Sequence, residues 1–138
     1  MTAPAATRFA DPAVILRVEE EPLVAELVRP VICSATEWLL LLGFDSHGRL
    51  VSACESGGTA CGSARLTPAM VRAAMIPGVG GQLLLAHNHP SGELHPSAAD
   101  IKLTRQLAQL CQMAGLKLYD HLIVSDAGHF SLRAAGLL

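Results

Sequence analysis

The stretch Gln82-Leu83-Leu84-Leu85-Ala86-His87-Asn88-His89-Pro90 constrains this chain more than any other. Its apolar run is too short for a free-standing helix and fits a buried strand over Gln82–His87. The run closes on two histidines spaced two apart. Asn88 to Pro96 follows, with two prolines and a glycine, and is predicted to be loop. Ser97 then starts the longest predicted helix. Ile101, Leu107, Ala108, Leu110, Cys111 and Ala114 fall near one of its faces, and Gly115 is a natural C-terminal cap.

The rest of the chain is read around this unit. Residues 1–12 are rich in Ala, Pro and Thr and are expected to be a flexible lead-in, with a single domain over 13–138. A short helix is expected from Glu19 to Val28, stopped by Pro30. Thr36 to Phe44, the turn residues Asp45-Ser46-His47-Gly48, and Arg49 to Glu55 give a hairpin. Ser56 to Ser63 reads as loop. Thr67 caps a helix that begins at Pro68 and runs to about Ile76, ending at Pro77-Gly78. Leu116–Ser125 and His129–Leu132 are the last two strands. This order predicts a mixed α/β (α+β) domain with a central sheet flanked by helices.

Composition narrows the function classes. At 138 residues, 51% hydrophobic and 16% charged, the chain is one ordered domain rather than a disordered one. Mean hydropathy is +0.39, yet no apolar run approaches the roughly 18–20 residues that cross a bilayer. No membrane association is expected, and the apolar surplus is assigned to a filled core and a homodimer interface. A net charge of -2 and a pI near 6.3, with the basic residues scattered singly, argue against direct nucleic-acid binding. Glu19, Glu20, Glu21 and Glu26 read as a solvated helix start. Cys33, Cys54, Cys61 and Cys111 form no Cys-x-x-Cys, and residues 1–11 lack a secretory apolar segment. A cytoplasmic location with free thiols is expected, a Cys54–Cys61 zinc site being the weaker alternative.

Chemistry concentrates in His87-Asn88-His89-Pro90-Ser91-Gly92-Glu93-Leu94-His95-Pro96-Ser97-Ala98-Ala99-Asp100. Period two puts the His87 and His89 imidazoles on one side of the sheet, and Asp100 falls in the first turn of the next helix. Two imidazoles and a carboxylate can then converge on a metal ion and leave a fourth position open, as catalytic zinc requires. Each piece has a plainer reading. His-x-His is common, and Ser97-Ala98-Ala99-Asp100 is also a capping pattern. Together they are expected by chance in roughly fewer than one such chain per thousand. A proton carrier is also needed. Glu37, at the head of an apolar strand, is the upstream candidate, or else an exposed edge residue.

With these residues set out, the sequence resembles the JAMM (MPN-plus, JAB-type) metalloprotease domain, in its RadC-like branch. The family pattern is a glutamate, then His-x-His, about seven residues, then Ser-x-x-Asp. Here these are Glu37, His87, His89, Ser97 and Asp100. The RadC-like character lies in HNHPSGELHPSAAD and DHLIVSDAGHFSLRAAGLL, and the resemblance covers roughly Ser34 to Leu138.

The resemblance implies a cytidine-deaminase-like fold and one Zn2+ per chain on His87, His89 and Asp100. Glu37 would be the general acid/base, and Ser97 would stabilise the oxyanion, competing with its own capping role. The implied substrates are peptide or isopeptide bonds, often at ubiquitin-like protein tails. The chain departs from the family at Thr67-Pro68-Ala69 and at Glu93-Leu94-His95-Pro96, and no N-terminal helix-hairpin-helix segment is expected. Asp120 and His121 are expected to support the site, with Asp120 orienting a ligand histidine. His95 would touch substrate or be exposed, and His47 and His129 would sit in solvent-facing turns. Two alternatives remain beside the hydrolase: a non-catalytic module associated with DNA repair or mobile-element maintenance, and a non-haem iron site.

Overall fold

A computed structural model describes residues 21–32, 35–57, 66–74 and 81–138. The lead-in, Cys33, Cys61, the loop from residue 58, and the Pro77-Gly78 stop lie outside these residues. So, therefore, does the Cys54–Cys61 pairing. The elements are α1 (Glu21–Ile32), β1 (Trp38–Phe44), β2 (Leu50–Gly57), α2 (Pro68–Ala74), β3 (Gln82–Asn88), α3 (Ala98–Met113), β4 (Lys117–Ser125) and β5 (Gly128–Ser131). None of the described helices is long and apolar enough to cross a membrane.

The five strands form one mixed sheet in the order β2-β1-β3-β4-β5. β1 runs antiparallel to both β2 and β3, and β4 antiparallel to β5. β3 and β4 are parallel, so α3 must carry the chain back between them. The leucine run of β1 would suit a helix by propensity alone. It is a strand because both its faces are covered, every residue from Leu39 to Phe44 being buried.

Alternation divides the core in two. Leu40, Leu42, Phe44, Leu84, Ala86, Leu122 and Val124 face α1, whose Val24, Ala25 and Val28 close that side. Leu39, Leu41, Leu83, Leu85 and Leu118 face α2 and α3, through Met70, Ala74, Leu107 and Cys111. Each fully buried leucine contributes about 1.5–3 kcal/mol of transfer free energy. Gly43 leaves room where α2 packs on β1: a Cβ there would lie 3.0 Å from the Ala74 carbonyl oxygen, and 2.2 Å from Ser52 Oγ of β2, which would have to turn away. By the same alternation His87 falls on the α3 face and Asn88 on the α1 face.

Local differences from the sequence reading have local causes. α1 continues through Pro30 to Ile32: the proline forfeits its own bond back to the previous turn, but so near the end little helix lies beyond it to be disrupted. On α3 the buried stripe is Asp100, Thr104, Leu107 and Cys111. Leu110 is 47% exposed at its rim, and Ala114 is exposed beyond it. Gly115 has φ +74, as a left-handed helix stop requires. His47 is exposed in its turn, but His129 is half-buried in β5, opposite Val124.

Candidate metal centre

β3 delivers both histidines. His87 is its penultimate residue and is 2% exposed. His89 is one residue past the strand. Its N–H still donates to the Val124 carbonyl at 3.2 Å, so the backbone stays extended and the second imidazole returns to the same face. Asp100 arrives from the first turn of α3. Ser97 caps that helix with a reciprocal pair of bonds. Asp100 N–H donates to Ser97 Oγ at 3.1 Å, and Ser97 N–H donates to Asp100 Oδ2 at 2.8 Å. The cap thus fixes the carboxylate as well as the helix.

The three side chains meet. His87 Nε2 lies 3.2 Å from Asp100 Oδ1 and His89 Nε2 lies 3.1 Å from Asp100 Oδ2. The two Nε2 atoms are 2.8 Å apart. Burial works against the Asp100 charge, but the His87 imidazole, when it is protonated on Nε2 as well, and the Ser97 N–H outweigh it. They hold the carboxyl well below the usual carboxylate range.

The surrounding hydrogen bonds determine which ring nitrogens carry hydrogen. Thr104 Oγ1 donates to the Asp100 carbonyl at 2.8 Å. Its one hydrogen is thereby engaged, so it accepts from His121 Nδ1, 2.6 Å away. His121 is fully buried, and burial, reinforced by the neighbouring His87, pushes its pKa down to about 3. It is therefore neutral, with a lone pair on Nε2. That lone pair receives His87 Nδ1–H at 2.7 Å. His89 Nδ1 lies 2.8 Å from the Glu93 carbonyl, which can only accept.

In their neutral forms both histidines thus present a bare Nε2 to the same point. Two lone pairs 2.8 Å apart, beside an anionic carboxylate, repel one another unless a cation lies between them. The donor set, two imidazole nitrogens and a carboxylate oxygen within 4.8 Å of one another, fits a divalent metal ion.

The remaining sequence-derived candidates divide. Glu37 stands just before β1. Extending the Leu39–His87 pairing by two residues sets it opposite His89, on the α3 face. It lines a cavity of about 460 Å³ with His87, His89, Ser97 and Asp100. His95 is not among the lining residues, and its ring packs 6.0 Å from Phe130. Asp120 does not bond either site histidine; its neighbour His121 bonds His87, because adjacent strand residues point to opposite faces. The Asp120 carboxylate instead accepts from Ser131 Oγ and the Arg133 N–H.

Thr104 went unread, although a polar residue one helical turn after Asp100 on the buried stripe was a legible signal. A larger cavity of about 590 Å³ lies between α2 and α3. Its lining is mainly apolar and brings no ligating cluster together.

Comparison with known proteins agrees with this geometry. The profile of the RadC-like JAB domain matches residues 18–137. A UPF0758 protein of Porphyromonas gingivalis is 38% identical over 104 residues, 73% of this chain and 44% of that protein. A UPF0758 protein of Acinetobacter baumannii is 53% identical over 57 residues, 41% of this chain and 24% of its own length. One of Acidithiobacillus ferrooxidans is 56% identical over 54 residues, 39% and 24% respectively. The chain spans less than half the length of the relatives it matches. The family profile runs over nearly all of the chain, and the mixed sheet brings its two histidines and its aspartate to one point: this protein belongs to the RadC-like JAB domain family.

Proposed function

We propose that the chain is a zinc-dependent hydrolase of peptide or isopeptide bonds. The observation that carries this reading is that Glu37 opens onto the same cavity as the two bare imidazole nitrogens and the Asp100 carboxylate. Three protein ligands beside a free carboxylate and an open cavity characterise catalytic rather than structural zinc sites.

His87 Nε2, His89 Nε2 and Asp100 would hold the ion. Zinc bound there polarises the substrate carbonyl and lowers the pKa of water toward about 7. The Glu37 carboxylate takes the proton that the attacking water gives up and returns it to the leaving amine nitrogen. An amide needs that second transfer, because an amine leaves only when protonated. Ser97 acts as cap and as donor at once. Its Oγ lone pair receives Asp100 N–H, while its own hydrogen is free to reach an oxyanion in the cavity. The two roles use different ends of one hydroxyl and do not compete.

The test uses purified protein of measured metal content, challenged with ubiquitin-like fusions and generic peptides. About one zinc per chain and cleavage of at least one substrate are expected. Glu37→Gln should keep the metal and lose turnover. Equal turnover in that variant removes Glu37 from the mechanism.

A further inference from the structure

The residue between the two histidines faces away from them, and its side chain bonds the backbone at the start of β1. Asn88 is 1% exposed. Its Oδ1 accepts the Trp38 N–H at 2.6 Å, and its Nδ2 donates to the Thr36 carbonyl at 2.9 Å. Those two groups belong to the residues on either side of Glu37. The chemistry fixes the orientation of the amide, since an N–H can only be received by oxygen and a carbonyl only by N–H. β1 and β3 pair as far as Leu39 and His87. The next pair would be Trp38 and Asn88, and there the Asn88 side chain takes over from the backbone.

From this we infer that Asn88 is a positioning residue for Glu37: its amide grips the chain on both sides of the glutamate and holds the carboxylate at the cavity. The inference rests on the reading of Glu37 as proton carrier. The α3 face of the β3 terminus supplies His87, while the α1 face, through Asn88, fixes the segment that brings Glu37. Aspartate there would keep the bond to Trp38 N–H and lose the one to Thr36. Alanine loses both.

Cobalt-loaded wild type, Asn88→Ala, Asn88→Asp, Glu37→Gln and the Asn88→Ala/Glu37→Gln pair would be compared. Cobalt affinity, the visible spectrum of the bound ion, and kcat and KM on the best substrate of the panel are measured. Asn88→Ala is expected to bind cobalt as wild type does and to take on the Glu37→Gln spectrum. Its kcat should fall about a hundredfold with little change in KM, the scale of a misplaced reacting group. The double variant should add nothing further.

If the Asn88 variants keep the wild-type spectrum and kcat while Glu37→Gln changes both, the clamp is refuted and the hydrolase reading stands. Loss of cobalt affinity in both Asn88 variants would make Asn88 a support of the ligand strand, which also overturns the inference. A Glu37→Gln variant identical to wild type in spectrum and rate ends both readings. One measurement needs no variant. In the wild-type protein the Trp38 amide should exchange its hydrogen as slowly as the amides inside β1. Exchange as fast as at the exposed turn residue Ser46 would show that the grip does not hold.

Discussion

His121 Nε2 lies 2.7 Å from His87 Nδ1 and receives the one hydrogen that a neutral His87 carries. A residue outside the cavity thereby determines which nitrogen of His87 is bare. The chain of donors ends at a backbone carbonyl of α3, through Thr104 Oγ1. The helix that supplies Asp100 thus also orients the strand histidine.

His121→Ala should therefore weaken zinc binding by about 10–100-fold while leaving all three ligands in place. Thr104→Val keeps the shape and removes the hydroxyl, and should weaken it less. Competition against a chromophoric chelator reads both. An affinity unchanged in His121→Ala would show that the ring only fills space.

Removing a ligand acts differently from removing its support. His89→Ala should carry no stoichiometric zinc by elemental analysis. Zinc at a hundred times its Kd stabilises a folded protein by about 2.7 kcal/mol. The wild-type melting temperature should thus fall on chelation, and that of His89→Ala should not respond. A chelator-sensitive His89→Ala would place the ion elsewhere.

The metal-free protein should lose stability in mild acid. Burial holds His121 down at about 3, against an ordinary 6.5. Between those values the unfolded chain binds a proton at this residue that the folded chain refuses. Unfolding free energy should therefore drop as pH falls through the window, at a slope approaching about 1.4 kcal/mol per pH unit from this group alone. Urea titrations of chelated protein at several pH values measure it. His121→Asn should flatten the slope, and an equal slope in that variant would assign the effect to other groups.

Ser97→Ala should show two separable losses. The missing cap costs about 1 kcal/mol of stability. The missing donor should lower kcat by about a hundredfold or more. Ser97→Thr keeps the hydroxyl and should recover most of both. A stable, fully active Ser97→Ala would leave the serine no catalytic part.

The His87, His89 and Asp100 cluster was legible because it is local. His87 and His89 follow from period two on a strand, and Asp100 from the first turn of a helix whose cap, Ser97, is written beside it. The support was legible only in outline: Asp120 and His121 were both expected beside the site, but which of them meets His87 was not legible, because the contact is remote. His121 reaches His87 only through the parallel pairing of β3 with β4, 34 residues on, and it was Asp120 that looked suited to the task. Strand alternation alone separates the two, and the phase of that alternation depends on which face the neighbouring helix covers. Asn88 is a similar case. Its partners Thr36 and Trp38 are 52 and 50 residues away, and nothing in their spacing announces the contact.

The sequence by itself determined the element types, the burial of β3, and the convergence of His87, His89 and Asp100. Each depends on neighbours within a few residues, where backbone geometry converts spacing into direction. Tertiary structure decided how Glu37 comes to share a cavity with those side chains, and which hydrogens the imidazoles keep. Those depend on strand order and register. Register is set by how whole faces of the sheet bury against α1, α2 and α3, a sum over many contacts that no single motif encodes.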